Sequence, residues 1–397
     1  MKSFSLLIKD EARSLCFDSV GITFLSGLRK GEEAILAWTR EGRHGGMKYL
    51  ENFESRKRRF LENFPDAASV IVLGVNYYQK GEYSPGPLKG RVARYAWGRD
   101  YHQVISEKHK VLIERMRGFC GPGFKAQSCV DIQPVPEKFA ASRAGLGFIG
   151  KNTLLLSRQF GPWLFLSEIV TNLELEEDAP DTADCGTCKA CQEVCPTGAL
   201  DQDYKIDARL CIAYLTIEHK GVIPRELRPK IKDWVFGCDE CLSGCPFDSK
   251  AKQSTWPEFL PREGTGSGIA LDELFKIQSN SAHEKKFAGT AVSRANRKQM
   301  LRNACLVLGN SGDERAVPYL SAALEDPAPL VRLHAAWALG RFTSQDAREA
   351  LERHLALEQD PEARQEILEA LLNKGGNGLK PFPTTELPQV DKDRGVS

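Results

Sequence analysis

Two cysteine runs dominate the chemistry this chain could do. Residues 185–200 read CGTCKACQEVCPTGAL, and residues 238–248 read CDECLSGCPFD. The first contains Cys-x2-Cys-x2-Cys-x3-Cys-Pro, the spacing by which bacterial ferredoxins hold iron–sulfur clusters. The second has the same ending but lacks the opening cysteine. In two-cluster ferredoxins the fourth cysteine of each run crosses to the other cluster. On that rule Cys185, Cys188, Cys191 and Cys245 hold cluster one, and Cys195, Cys238 and Cys241 hold three corners of cluster two. Cys211, the only cysteine between the runs, is the candidate for the eighth thiolate. Structural zinc also uses Cys-x2-Cys pairs. The triple repeat, and the proline after each final cysteine, favour clusters that pass single electrons.

Composition limits the alternatives. The 397 residues carry a formal net charge of +1, so global charge points to neither a nucleic acid nor a membrane, and any basic surface must be local. Of twelve cysteines, eight lie between 185 and 245. That density in a long chain without a signal peptide points to metal rather than disulfides. Cys16, Cys120, Cys129 and Cys305 read as buried small apolar side chains. The apolar run in MKSFSLLIKDEARSLCF is too short for a signal peptide. No apolar stretch approaches the roughly 20 residues of a membrane helix, so a soluble cytoplasmic protein is expected.

The elements that must position the thiolates fall into blocks. Residues 1–175 read as a mixed α/β (α+β) domain. SVIVLGVNYY (69–78) predicts a strand, YHQVISEKHKVLIERMRGF (101–119) a helix, and KAQSCVDIQPV strand-like alternation. GKNTLLLSRQFGPWLFLSEIV reads as two strands joined at Gly161–Pro162. GLGFIG (145–150) matches G-x-G-x-x-G, but helical sequence precedes it and strand sequence follows, the reverse of a dinucleotide-binding turn. Residues 176–255 form a ferredoxin-like two-cluster domain. A stretch with Pro and Gly, WPEFLPREGTGSG, opens an all-α unit over 256–374. There LRNACLVLGN resembles VRLHAAWALGRF, and Asp-Pro turns recur at a period of about 34, the mark of HEAT-like repeats. The tail, 375–397, is expected to be disordered.

Motif chemistry reaches an iron–sulfur oxidoreductase with a helical appendage; a family resemblance goes further. VDIQPVPEKFAASRAGLGFIGKNTLLLSRQFGPWLFLSEIVTN, CGTCKACQEVCPTGAL, CIAYLTIEHKG, CDECLSGCPFD and FAGTAVSRANRKQMLRNACLVLGN resemble, in order, blocks of the epoxyqueuosine reductases. The resemblance covers most of the chain except the tail, and Cys211 falls on that family's eighth cluster ligand. It implies the last step of queuosine synthesis: reduction of an epoxide to an alkene on the wobble base of tRNA. It also implies cobalamin in the N-terminal domain, two [4Fe-4S] clusters, and kinship with reductive dehalogenases.

The same resemblance assigns roles residue by residue. The proton donor falls on Asp131, and Arg94, Asp131, Lys151 and Asn152 lie in blocks near the corrinoid. DYHQVI begins like an Asp-x-His-x-x-Gly cobalt-ligand motif, but Ile105 replaces the glycine, so His102 is not expected to ligate cobalt. Tyr77, Tyr95 and Trp97 are candidates to stack on the substrate base. Lys285, Lys286, Arg294, Arg297, Lys298 and Arg302 form a basic stretch suited to RNA phosphates. The remaining expectations are a low-potential donor such as a flavodoxin or ferredoxin, no membrane partner, and a monomer. Two other readings fit parts of the sequence, a dehalogenase-like reductase of a small molecule and a non-catalytic electron carrier. The large N-terminal domain argues against a mere carrier.

Overall fold

A computed structural model describes residues 3–81, 83, 86 and 88–372. The expected disordered tail lies outside the described residues, as do the last two positions of the expected 256–374 unit. The strands, in chain order, are β1 Ser19–Phe24, β2 Ser69–Asn76, β3 Lys89–Val92, β4 Ala126–Cys129, β5 Phe148–Ile149, β6 Leu155–Leu156, β7 Leu164–Thr171, β8 Trp234–Phe236 and β9 Gly268–Ala270.

An antiparallel sheet in the order β1-β2-β7-β4 forms the centre of the N-terminal body. All of β2 is buried, which is why SVIVLGVN is a continuous apolar run rather than an alternating one. Successive side chains leave a strand on opposite faces. Ile71, Leu73 and Val75 pack with Val104, Leu112 and Met116 of helix Tyr101–Cys120 and with Ile8 of helix Phe4–Ser14. Val70 and Val72 face Ala140 and Ala141 of helix Glu137–Arg143 and Phe60 of helix Phe53–Asn63. The result is a sheet with helices on both faces. GLGFIG connects helix Glu137–Arg143 to the β5–β6 hairpin, helix first and strand second, as read.

A second, smaller sheet, β8-β3-β9, stitches distant parts of the chain together. β3 runs parallel to β8 and antiparallel to β9. The break expected at 256 is therefore misplaced. Trp256 and Phe259, both 3 % exposed, join the core beneath the N-terminal sheet, and β9 pairs with β3 before the repeats begin. Two large aromatics this apolar bury themselves rather than bridge solvent.

The C-terminal helices stack as expected of repeats. Arg297–Ser311, Pro329–Leu339 and Pro361–Leu372 pack in succession, with Val317–Ala323 and Gln345–Leu355 alternating between them. The recurrent Leu-Gly has a packing cause. A Cβ on Gly309 would come within 2.8 Å of Ala338 Cβ, and one on Gly340 within 2.7 Å of Ala370 Cβ. Of the four cysteines outside the 185–245 segment, Cys129 and Cys305 are buried and Cys120 is half-buried. Cys16 departs from expectation: it is exposed, in a left-handed turn (φ 71°) just past helix Phe4–Ser14. No helix among the described residues is long and apolar enough to cross a membrane.

Candidate active site and thiolate centre

Asp131 lies just beyond β4 and adopts a left-handed backbone (φ 57°), unusual for a residue with a side chain. Its N–H donates to Glu137 Oε1 at 2.8 Å, which ties the turn to the start of helix Glu137–Arg143. The Tyr101 hydroxyl donates to Asp131 Oδ2, and His102 Nε2 lies 3.2 Å from the same oxygen. His102 Nδ1 is 2.8 Å from Asp100 Oδ1, and Asp100 also caps the helix by accepting from the His102 N–H. Both imidazole nitrogens are thus committed to carboxylates, which removes His102 as a metal ligand, as the missing glycine suggests. The Tyr101 ring stacks on Phe165 at 4.3 Å and on His102 at 4.1 Å, so the hydroxyl is held by packing as well as by its acceptor.

The Asp131 side chain is 39 % exposed, with part of its carboxyl screened from water by neighbouring groups. That burial raises its pKa, while the charges of Lys138 and Arg294 work against the rise. Two further carboxylates lie behind it. Burial pushes Glu137 well up, reinforced by Glu168 and Asp131. Glu168, on β7, is fully buried with neither carboxylate oxygen hydrogen-bonded, and burial pushes it well up too. Neutral carboxyls are what such a site can hold, since an unpaired buried charge costs several kcal/mol.

Tyr95 links this turn to the cysteines. It meets Tyr101 edge-on at 6.3 Å and Phe236 of β8 at 6.2 Å. Gly237 follows at φ 71°, where a Cβ would meet Ala93 Cβ at 2.5 Å. Cys238 is next in the chain. Burial raises the Tyr95 hydroxyl, with Asp239, Asp131 and Glu218 adding to the effect. Of the three aromatics considered for base stacking, Tyr77 and Trp97 are buried, whereas Tyr95 is only partly so.

Several of the eight thiols are electrostatic neighbours of one another. Burial pushes Cys245 up to about 12, with Cys185, Cys191 and Cys188 as its charged neighbours. Cys191 is pushed up to about 11 by burial, then by Cys185 and Cys188. Burial also raises Cys241 well above the ordinary thiol range, then Cys211 and Cys195. Cys238 is raised by burial, then by Cys241, with Cys211 a further neighbour. Cys191 is also a neighbour of Cys241. Thiols this reluctant to ionise need a cationic centre to hold them as thiolates. No three His, Cys, Asp or Glu side chains among the described residues converge as one metal ion would require.

Four residues expected to bind cofactor or RNA make contacts within the chain. Lys151 is 4 % exposed; its N–H donates to Cys185 Sγ at 3.4 Å, and its Nζ reaches the Gly186 carbonyl at 2.7 Å and Asp203 at 3.0 Å. Asn152 Nδ2 donates to the Cys241 carbonyl at 3.3 Å. Both side chains thus make contacts around the cysteines. Arg297 pairs with Asp326 at 2.6 Å and is buried. Arg302 is fully buried and donates to the Leu215, His219 and Gly221 carbonyls beyond Cys211. These arginines cannot meet phosphates, because neighbouring elements cover helix Arg297–Ser311 on nearly every side. Lys285, Lys286 and Lys298 are exposed, and Arg294, also exposed, pairs with Glu218 at 2.9 Å. The Arg94 guanidinium lies over Trp97, Tyr78 and Trp163 and donates to the Gln79 carbonyl, bracing the β2–β3 connection.

Two features escape a reading of the sequence. Tyr101 and His102 stand out there only as neighbours of an incomplete cobalt motif. The run Arg56-Lys57-Arg58-Arg59 is a plain charge signal whose place in the site the sequence does not reveal. It lies on helix Phe53–Asn63, where Arg56 donates to the carbonyl of Ile132, next to Asp131.

Comparison with known proteins bears on this arrangement. Residues 184–248 match a 4Fe-4S double cluster binding domain, residues 58–132 the epoxyqueuosine reductase QueG, DUF1730 family, and residues 290–372 HEAT repeats. An epoxyqueuosine reductase of Pseudomonas aeruginosa is 40 % identical over 84 % of this chain and 93 % of its own. One of Escherichia coli is 35 % identical over 84 % and 88 %. A crystal structure of epoxyqueuosine reductase with an epoxyqueuosine-modified tRNA-Tyr stem loop superposes with a TM-score of 0.82 at 29 % identity, covering 94 % of this chain and 100 % of that one. A Bacillus subtilis structure, whose catalytic aspartate loop is swung out of the active site, has a TM-score of 0.80 at 28 % identity, with coverage of 94 % and 100 %. With relatives 35–40 % identical matched over most of their own length, the chain belongs to the epoxyqueuosine reductase family.

Proposed function

We infer that this protein reduces epoxyqueuosine to queuosine in tRNA. The reaction takes two electrons and two protons, breaks both C–O bonds of the epoxide, and leaves an alkene and water. The observation that carries the reading is family membership together with the Asp131 turn, held by Tyr101 and His102, in a chain that carries eight cysteines between 185 and 245. The eight cysteines hold two [4Fe-4S] clusters, with Cys185, Cys188, Cys191 and Cys245 on one and Cys195, Cys211, Cys238 and Cys241 on the other. The match of residues 184–248 to a 4Fe-4S double cluster binding domain supports two clusters.

Cobalamin is the group we assign to the cleft bounded by Tyr95, Tyr101 and Asp131. The residues present suit a cofactor that brings its own metal, since His102 has no free nitrogen to offer. When bound, it supplies a centre that accepts electrons from the clusters and acts at carbon. The chain's own part is the proton. Asp131, whose carboxyl burial pushes above its ordinary value, donates to the departing oxygen, which would otherwise leave as a poor alkoxide. Tyr101 and His102 then stabilise the carboxylate that remains. The swung-out catalytic aspartate loop of the Bacillus subtilis relative supports giving this turn that role. Electrons enter from a low-potential donor such as a flavodoxin or ferredoxin.

The test is anaerobic reconstitution with iron, sulfide and cobalamin, reduction, and incubation with tRNA bearing the epoxide. Nucleoside chromatography with mass detection should show loss of one oxygen. A reconstituted, reduced enzyme that leaves the epoxide intact overturns the reading.

A further inference from the structure

Arg294, Arg297 and Arg302 of the basic stretch expected to meet RNA are engaged elsewhere, so a polyanionic substrate gains from positive charge on a further surface. Helix Phe53–Asn63 offers it. Phe53 and Phe60 are buried and fix the helix to the body. Of its four successive cations, Lys57 pairs with Glu32 and Arg56 holds the Ile132 carbonyl. Arg58 and Arg59 are exposed, and among the described residues neither has an ion pair or hydrogen bond. Both line an open cleft of about 850 Å³ with Tyr49, Asn52, Ser55 and Arg56, and Glu62 is the only acidic residue on its wall.

The cleft is tied to the Asp131 turn by the Arg56 bond to the Ile132 carbonyl. Arg56 belongs to both, and Tyr49, 43 % exposed, lies within electrostatic reach of Arg294, Asp131 and Arg56. Unpaired arginines on a rigid helix, beside hydroxyl and amide donors and an exposed aromatic, match a single-stranded nucleic-acid backbone. Arginine binds phosphate through a planar fork, and an aromatic face offers a platform for a neighbouring base.

We propose that Arg58 and Arg59 grip backbone phosphates of the nucleotides flanking the one whose base enters the Asp131 cleft. This rests on tRNA being the substrate. A phosphodiester could also come from the nucleotide tail of the corrinoid, and the experiment separates the two sources.

The test compares the wild-type holoenzyme with the double variant Arg58→Gln/Arg59→Gln. Binding of a fluorescein-labelled anticodon stem loop is followed by anisotropy over a range of salt concentrations, alongside iron content and corrinoid absorbance. The variant should bind about tenfold more weakly or worse. The slope of log affinity against log salt should shrink by about 0.7 for each phosphate no longer neutralised, with iron and corrinoid at wild-type levels. Unchanged affinity and slope overturn the proposal, as does loss of corrinoid uptake with RNA binding intact. A wild-type holoenzyme that neither binds nor reduces the tRNA overturns the parent reading instead.

Discussion

Tyr101 and His102 converge on one oxygen of Asp131, across a gap of 30 residues in the chain. Adjacent residues at the start of one helix thereby hold a carboxyl carried by another element. If that carboxyl is the acid, Asp131→Asn should slow epoxide reduction about 10²–10⁴-fold while keeping clusters and corrinoid. Tyr101→Phe removes one hydrogen bond to the carboxylate formed after proton transfer, worth about 1.5–3 kcal/mol, so turnover should fall about ten- to a hundredfold. Single-turnover rates decide the matter; wild-type rates in Asp131→Asn remove it from the mechanism.

The pH profile provides an independent check. Asp131 must be protonated to donate, so the rate should fall as pH rises through its pKa. Lys138 favours the charged carboxylate and so lowers that pKa. Lys138→Gln removes the positive charge, raises the pKa, and should move the falling limb to higher pH. A limb that stays put or moves lower would mean that another group titrates.

Parts of this site are legible in the sequence because they are local. Cysteine spacing announces the double-cluster segment that the family match covers. β2 and helix Tyr101–Cys120 announce themselves by apolar run and helical spacing. The pairing of Tyr101 with Asp131 is not legible, since it depends on how β4 is set against β7 in the sheet. Arg297 and Arg302 mislead for a related reason. A basic run shows charge but not which helix face the fold will cover, and here Asp326 and the carbonyls near Cys211 wait on the covering elements.

Cys211 opens helix Ile212–Ile217, far from either cysteine run in sequence yet beside Cys195 and Cys241. Cys211→Ser should therefore lose about half the iron, all of it from the second cluster. Iron analysis and electron paramagnetic resonance of the reduced protein would show one cluster signal in place of an interacting pair. Full iron retention would refute the assignment.

Arg302 stabilises that same helix from the repeat side. Its guanidinium donates to the Leu215 carbonyl at 2.6 Å and the His219 carbonyl at 2.7 Å, and Asn303 Nδ2 adds a bond to the Thr216 carbonyl at 2.8 Å. Arg302→Met strands buried acceptors, each costing about 1–3 kcal/mol. The variant should melt earlier and shed iron from the second cluster before the first on warming. Stem-loop affinity at low temperature should not change, because this charge never meets the RNA. A selective loss of affinity with normal melting would restore Arg302 to the binding surface.

Glu168 provides a test of stability rather than rate. Burial holds its folded pKa well above the ordinary carboxylate value, so the folded chain keeps this proton more tightly than the unfolded chain does. Its contribution is complete below the unfolded pKa of about 4.3 and fades as pH rises toward the folded value, by at most about 1.4 kcal/mol per pH unit. Glu168→Gln carries no titratable proton there. The stability difference between variant and wild type should move steadily in the variant's favour from about pH 5 upward, whatever its sign at the start. Denaturant unfolding of both proteins across that range gives the slope directly. Parallel curves would mean that Glu168 is ionised in the fold, and the neutral carboxyl cluster behind Asp131 would have to be abandoned.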